Sequence, residues 1–379
     1  MIETVIRAYL PEIEHFSLLP IGSGLIHRTW KVEVGVDGGV ADGGVVDGGV
    51  VDGGEAYILQ QVNTGVFKDP EVIGGNLDKI GRYLQVHCPD YLFVGPMRTV
   101  AGGVDRAVGE GVDRAAGGVV FYRDEDGVCY RLFPYVQGSR TFDVVAGPEQ
   151  AYEAARQFGH FTRHLAGFDV GELRAALPDF HNLRLRFDQF GKAVRDGNAE
   201  RIRGSAELIG FLEGQRDLVG VYESLLVSPA FSLRVTHHDT KISNVLFDRR
   251  GKGLCVIDLD TVMPGYFISD VGDMIRTYVS PASEEETDLD KVVVRDDFYT
   301  AIFEGYMGVM GDVLSAVERE HFFYSGLFMV YMQALRFLTD HLNNDVYYGA
   351  RYEGHNFNRA ANQVALLRRL LEKGGGARG

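Results

Sequence analysis

Cysteine is scarce and scattered: the 379 residues hold three, Cys88, Cys129 and Cys255, which form neither a CxxC pair nor an even disulfide framework. They suit a reducing compartment and small core positions rather than covalent bridges. Positive charge is also in short supply, with 38 Lys and Arg against 53 Asp and Glu and a formal net charge of −15. No Lys/Arg cluster forms a phosphate-binding stripe, so nucleic acid is not an expected partner and the acidity promises mainly solubility. No apolar run approaches the roughly 18 residues of a spanning helix, and Met1-Ile2-Glu3-Thr4 carries an acid where a signal peptide wants a base. A cytoplasmic location without a membrane partner is the expectation.

The apolar share, 45%, is that of a globular protein, and the length allows one large or two ordinary domains. Two stretches cannot build a core. Residues 35–54 repeat Val-Asp-Gly-Gly units with aspartates at 37, 42, 47 and 52, and residues 101–118 contain Gly-Val-Asp-Arg-Ala twice. Calcium solenoids use nine-residue units with an apolar stacking position, which this five-residue repeat lacks, so both stretches read as solvated inserts, at about 36–54 and 101–118.

Between them the patterning is that of a small sheet with one helix. Arg28–Val34, Tyr57–Val62 and Cys129–Phe133 read as strands, the last pairing with Val119–Tyr122 across a polar turn, and Ile73, Leu77, Ile80 and Leu84 fall at helical spacing. Val5, Ile6, Tyr9, Leu10 and Ile13 mark a short amphipathic helix before them. Beyond Gln137 long helices take over: one opened by Pro148, then others at about 205–227, 295–310, 318–342 and 356–373. The expectation is an α+β chain with a sheet-rich lobe at 1–136 and a larger helical lobe at 137–379.

The chemistry concentrates in Arg234–Asp248, RVTHHDTKISNVLFD, where a polar loop, His237–Asn244, is held between two short strands. It fits H-x-D-x-x-x-x-N, and the next strand, returning antiparallel, ends in Ile257-Asp258-Leu259-Asp260. This is the order of parts in a phosphoryl-transfer site: an Asp that accepts the attacking hydroxyl's proton, an Asn that binds Mg²⁺ and a later Asp that binds Mg²⁺. Phosphoryl transfer is mostly positioning and charge neutralisation, so acceptor, phosphate and metal must converge within a few ångströms. Asp239 is then the candidate base, and Asn244 and Asp258 are the candidate metal ligands. On an alternating strand end Asp258 and Asp260 point the same way. His237 and His238 have no second His/Cys cluster at ligand spacing, and His237 reads as a brace for the loop rather than a zinc ligand. Two readings of Lys241 stand side by side, neutralising the transferring phosphate or serving as a solvated surface charge. Asp270 and Asp273 read as capping charges at the start of the helix toward Arg276.

This loop, with Ile257–Gly265 (IDLDTVMPG) and Ser269–Arg276 (SDVGDMIR), resembles the aminoglycoside phosphotransferase/choline kinase superfamily. RVTHHDTKISNVLFD, YILQQVNTGVF and LRFLTDHLNNDVYY are similar, more narrowly, to the N-acetylhexosamine 1-kinases, and the likeness spans the chain apart from its two inserts. The resemblance implies a bilobal protein-kinase-like fold and a transferase that uses ATP and Mg²⁺ to phosphorylate the anomeric hydroxyl of N-acetylglucosamine or N-acetylgalactosamine, a small-molecule sugar partner, in carbohydrate metabolism. It implies Asp239 as the base beside the sugar, and Asn244 and Asp258 as holders of magnesium. It gives Asp260 two readings, touching the sugar or ordering the loop.

For the nucleotide, the resemblance places Gly22-Ser23-Gly24 in a phosphate-covering hairpin and Phe133-Pro134-Tyr135 in the hinge that pairs with adenine. Where kinases usually carry a phosphate-binding strand lysine, this chain has Gln60 or Gln61, which donate hydrogen bonds but bring no charge. The phosphates must then lean on magnesium, backbone N–H groups or Lys241. The resemblance sets Arg336 and Tyr347 beside the sugar, where guanidinium and phenol can donate to hydroxyl and acetamide oxygens. Surface or packing roles are the alternative for both. Phe180-His181-Asn182 with Arg186-Phe187 reads as a structural segment.

Overall fold

The structure, a computed structural model, describes residues 2–21, 27–35, 55–100 and 118–376. The two inserts, apart from Gly35 and Gly118, and the Gly22-Ser23-Gly24 turn lie outside those residues. The chain divides into two compact units, Met1–Ser139 and Arg140–Gly379.

In the first unit, helix α1 (Ile2–Tyr9) precedes strands β1 (Phe16–Pro20), β2 (Arg28–Val34) and β3 (Ala56–Gln61). Helix α2 (Pro70–His87) and strands β4 (Tyr122–Arg123) and β5 (Cys129–Pro134) complete it. The strands form one antiparallel sheet in the order β1-β2-β3-β5-β4, with Thr29 opposite Gln60 and Gln60 opposite Arg131. Alternation puts Val32, Leu59 and Leu132 on one face, where they pack with Val5, Ile6 and Tyr9 of α1. The Tyr9 hydroxyl donates toward the carbonyls of Val120 and Tyr130 and accepts from the N–H of Tyr122, which pins the helix across the sheet. The pairing expected for Val119–Tyr122 is shorter, because Val119 is bonded instead to Thr99, whose N–H donates to its carbonyl and whose hydroxyl accepts its N–H.

The second unit opens with α3 (Pro148–His164), α4 (Leu183–Asp196), α5 (Ala199–Gly204), α6 (Ala206–Gly214) and α7 (Asp217–Leu226). Two small ribbons follow, made by β6 (Arg234–Thr236) with β9 (Met263–Gly265) and by β7 (Val245–Phe247) with β8 (Gly253–Val256). The rest is helical: α8 (Phe267–Tyr278), α9 (Asp296–Met310), α10 (Ala316–Glu320), α11 (Phe322–Leu342) and α12 (His355–Gly376). Helix α11 is buried around most of its surface, as its apolar runs require, and packs against α4, α8 and α12. Helices α3 and α9 approach closely at glycines, since a Cβ at Gly305 would run into the backbone of Tyr152.

Three differences from the expected helices have local causes. The helix expected at 205–227 is two, parted at Gln215-Arg216, where the chain turns with i−3 bonds after Gly214. The helix expected from 318 breaks at His321, because Ser315 and Glu318 form a capping box that starts the separate short helix α10. Helix α4 was not expected at all. Asn182 caps it by accepting from the N–H of Leu185, and Leu183, Phe190 and Ala193 form its buried stripe.

Candidate active site

The loop His237–Asn244 leaves β6 and enters β7 through a single 3₁₀ turn, Ile242–Asn244. Its backbone donors are held by two carboxylates on the first turns of α8. Asp270 accepts from the N–H of His237 at 3.1 Å and from that of His238 at 2.7 Å, and Asp273 accepts from the N–H of Thr240 at 2.9 Å. Thr240 and Tyr278 add hydroxyl bonds, from Thr240 Oγ1 to the Asp270 carbonyl and from Tyr278 Oη to the Thr240 carbonyl at 2.5 Å. The backbone N–H groups of His237, His238 and Thr240 thus all have buried acceptors, as an immobile loop demands. The helix-capping role expected for Asp270 and Asp273 is therefore replaced by loop bracing. Asp273 also pairs with the buried Arg276, which continues to Glu284.

His237 is buried and its two ring nitrogens are both used. Nε2 lies 2.9 Å from the Ile257 carbonyl, which only an N–H can satisfy, so Nδ1 is the acceptor for the N–H of Asp239 at 3.3 Å. His237 thus fixes the backbone of the candidate base, the bracing role expected of it. His238 sits at φ +68°, a left-handed conformation rare for a side chain of this size, and a Cβ at Gly265 would collide with its ring. Its Nδ1 faces His181 Nδ1 at 3.3 Å. Burial pushes the His238 imidazole down to about 3 and takes His181 well below its usual range, so both rings are neutral and one donates to the other.

Asp239 is only partly covered, and Lys241 Nζ lies 3.0 Å from its carboxylate. Burial pulls this carboxyl up, but Lys241, His237 and Arg276 together hold it below its usual range. Of the two readings of Lys241, the structure shows an ion pair with Asp239 on a half-exposed ammonium. Asn244 donates its Nδ2–H to the Asp239 carbonyl at 2.9 Å, which leaves its Oδ1 as the end able to meet a cation. The N–H of Ile257 donates to the Asn244 carbonyl, extending the Val245–Val256 pairing by one rung and bringing Asp258 beside Asn244. An amide oxygen and a carboxylate are hard oxygen donors of the kind magnesium takes, and the donor set fits that ion.

The shared direction expected for Asp258 and Asp260 does not occur. The strand ends at Val256, Asp258 takes the left-handed conformation at φ +58°, and a 3₁₀ turn follows, so Asp258 is exposed while Asp260 is buried. Alternation holds only while the backbone is extended.

In the same unit, Arg336 on α11 and Tyr347 beyond its end line a cavity of about 380 Å³, together with Arg186 and Lys192 of α4 and with Tyr348. The Arg336 guanidinium lies over the rings of Phe180 and Tyr348, at 5.6 and 5.5 Å. Phe180 stacks on His181, and His181 meets His238, so ring contacts tie this cavity to the residue before Asp239. Of the segment expected to be structural, Arg186 is also part of the cavity wall. Helix α11 stops where Asn344 and Asp345 take positive φ, and the Asp340 carboxylate accepts the N–H groups of Tyr347 and Tyr348.

Of the residues expected on the nucleotide side, Gln60, Phe133 and Tyr135 stand in the first unit. Gln60 accepts from Arg131 Nε at 3.0 Å through its Oε1, which turns its Nε2 toward Thr29 Oγ1 at 3.5 Å. The Arg131 guanidinium also lies over Phe133 at 5.0 Å. The charge missing from β3 therefore stands one strand away, on a side chain that is almost fully buried. An arginine inside the apolar run Cys129-Tyr130-Arg131-Leu132-Phe133 was the available signal. Tyr135 donates its N–H to the Ala56 carbonyl and lies under Lys31 at 4.5 Å.

The pH behaviour of the brace follows from Asp270. Burial pushes its carboxyl up to about 6, against an ordinary value of 3.8, outweighing the N–H bonds and His237 that favour the charge. A carboxyl raised in the folded state takes up its proton on folding between those values. Its contribution to stability is therefore full below pH 3.8 and is lost as pH rises through about 6, after which it is constant. Asp270→Asn should abolish that slope, about 3 kcal/mol across the window, in unfolding free energies measured from pH 4 to 7. It should also lower turnover about 10- to 100-fold, because an amide nitrogen would face a backbone N–H in place of an acceptor. An unchanged slope would mean that Asp270 is not the group titrating.

Residues 114–297 match the family model described as the phosphotransferase enzyme family, APH, a segment that holds the loop, Asp258, Asp270 and Asp273. Among solved structures, a microcompartment-associated aminopropanol kinase superposes with a TM-score of 0.60 at 16% identity, covering 98% of each chain. A spectinomycin phosphotransferase, in complex with ADP and spectinomycin, gives 0.55 at 12% identity over 98% of this chain and 97% of that one. The choline kinase of Cryptosporidium parvum Iowa II gives 0.52 at 15% identity over 98% and 96%. The chain has the kinase-like α+β fold of these proteins. No helix among the described residues is long and apolar enough to cross a membrane.

Proposed function

We propose that this chain, whose residues 114–297 are of the phosphotransferase enzyme family, transfers the γ-phosphate of ATP to a small alcohol acceptor. The acceptor in this reading is N-acetylglucosamine or N-acetylgalactosamine, phosphorylated at the anomeric hydroxyl. The observation that carries the transfer reaction is the loop itself: a carboxylate kept ionised by Lys241, with its backbone fixed by His237 and with Asn244 and Asp258 alongside.

In this mechanism Asp239 accepts the proton of the attacking hydroxyl. An anomeric hydroxyl is more acidic than an ordinary alcohol, so a carboxylate of low basicity suffices late in a loose transition state. Asn244 and Asp258 would hold Mg²⁺, which supplies charge neutralisation at the phosphates. Lys241 orients Asp239 and brings positive charge to the same place. On the nucleotide side, Gln60, ordered by Arg131, donates through its Nε2, and Phe133 and Tyr135 border the adenine, with Gly22, Ser23 and Gly24 covering the phosphates. Arg336 and Tyr347 contact the sugar, and Asp260 orders the loop from its buried position.

The acceptor assignment is supported by the sequence likeness of the loop and of Leu335–Tyr348, and by charge. A cavity with Arg186, Lys192 and Arg336 in its wall repels cationic acceptors such as choline or an aminoglycoside. The test is ADP release with Mg-ATP across N-acetylglucosamine, N-acetylgalactosamine, glucose, choline and kanamycin, with the phosphorylated position identified. Sugar 1-phosphate from the acetamido sugars alone is the expected result. Turnover confined to choline or kanamycin would discard the acceptor and keep the chemistry.

A further inference from the structure

The cavity between α4 and α11 carries more positive charge than a neutral sugar can use. Arg186 and Arg336 face it from two helices, α4 and α11, with Lys192 one turn and a half beyond Arg186. Among the described residues none of these three cations forms a salt bridge, whereas most other partly buried arginines of this unit do: Arg234 with Glu318, Arg276 with Asp273 and Glu284, Arg359 with Glu284. The two acids in the wall do not answer the charge. Asp340 spends its carboxylate on the N–H groups of Tyr347 and Tyr348 and on the Asn356 amide, and Asp196 is exposed and unpaired with any of the three.

The two guanidiniums are held by neutral partners only. Arg186 donates to the carbonyl of Asp179 and to Gln189, with its Nε–H buried and without a partner among the described residues, and Arg336 donates to Gln333. Arg186 is close enough to Arg336 for their charges to repel. A guanidinium cannot shed its charge by deprotonation, and two of them turned toward one concave site match a planar or tetrahedral oxyanion through paired N–H donors.

We infer that this cavity is an oxyanion subsite, in which Arg186 and Arg336 bind a carboxylate or phosphate group carried by the acceptor away from its reacting hydroxyl. The inference rests on the phosphotransferase reading and extends its acceptor from a neutral acetamido sugar to an anionic one. The ring contacts from Arg336 through Phe180 and His181 to His238 give the reason for its position: an anion held there anchors the acceptor's far end while its hydroxyl is presented to Asp239. Such an anchor places the reacting atom without adding charge to the catalytic loop.

Isothermal titration of the full chain with N-acetylglucosamine, N-acetylmuramic acid, N-acetylglucosamine 6-phosphate and inorganic phosphate, without ATP, separates this inference from the activity. At least one of the two anionic sugars should bind about tenfold or more tightly than N-acetylglucosamine, and Arg186→Gln should remove that advantage while leaving the neutral sugar within about twofold. Lys192→Gln, at an exposed position, should reduce the advantage by a smaller factor without disturbing the fold. Equal binding of neutral and anionic sugars, or an advantage that survives Arg186→Gln, overturns the subsite. Arg186-dependent binding of inorganic phosphate with no preference among the sugars would also overturn it, by making the anion a free ion. Absence of turnover with every acceptor, by contrast, defeats the proposed reaction and leaves this binding result standing.

Discussion

Asp239→Asn should lower the turnover number about 10³-fold, within the 10²- to 10⁴-fold range of a general base, while leaving acceptor affinity within about threefold. The substitution keeps the shape of the side chain. The N–H of residue 239 still reaches His237 Nδ1, and the braces from Asp270 and Asp273 end on neighbouring backbone groups that the change does not touch. What disappears is the charge. Its loss frees Lys241, whose half-exposed ammonium is already in contact with water, so unfolding free energy should change by less than about 1 kcal/mol. Steady-state rates, acceptor titration and denaturant unfolding on the same preparation separate the cases. Near-native turnover would remove Asp239 from the mechanism, and a large loss of stability would make the effect structural. The pH profile adds a check: Asp239 is held below the usual carboxylate range whereas burial pushes Asp270 up to about 6, so an acid limb near 6 should persist at reduced rate in Asp239→Asn and vanish in Asp270→Asn.

How far the site was legible follows from how local each feature is. The loop and its flanking strands could be read directly, because HHDTKISN is short, contiguous and set between two short runs, LRVT and VLF, that read as strands. The helical stripes of α2, α3 and α11 were legible for the same reason, as was the stop after Leu342. What escaped depends on partners far apart in the chain. Asp270 and Asp273 lie more than 30 residues from the N–H groups they accept, and nothing in SDVGDMIR distinguishes a brace from a cap. Asp258 and Asp260 separate because a single left-handed residue ends the strand, a choice the alternating pattern cannot reveal. Helix α4 was missed although Leu183, Phe187 and Phe190 have helical spacing, since Arg184 and Arg186 stand among them and interrupt the apolar stripe. Arg131 was passed over because a strand reading asks only which positions are apolar.

Glu318→Ala should destabilise the protein by about 3–5 kcal/mol, the cost of breaking a buried ion pair from one side. The Glu318 side chain is fully buried and serves three partners. One oxygen accepts from the N–H of Ser232 at 3.1 Å, the other from Arg234 at 2.7 Å and from the N–H of Ser315 at 2.8 Å, which closes the capping box of α10. Truncation leaves the Arg234 guanidinium, itself only 13% exposed, without its carboxylate, and orphans two backbone donors. Arg234 opens β6, whose third residue, Thr236, leads directly into His237, and Arg234 itself lies opposite Gly265, the glycine that admits the His238 ring. The damage should therefore reach the loop: at temperatures where the variant remains folded, turnover should fall while acceptor affinity holds. Glu318→Gln, which keeps an oxygen for Arg234 or for one N–H, should cost less than half as much. Replacing Arg234 by Met in the Glu318→Ala background should recover part of the loss, because the uncompensated charge is then gone. Urea midpoints for the four proteins decide the matter, and a loss below about 1 kcal/mol for Glu318→Ala would show that Arg234 finds water when its partner is removed and that the strand leading to the loop does not depend on this pair.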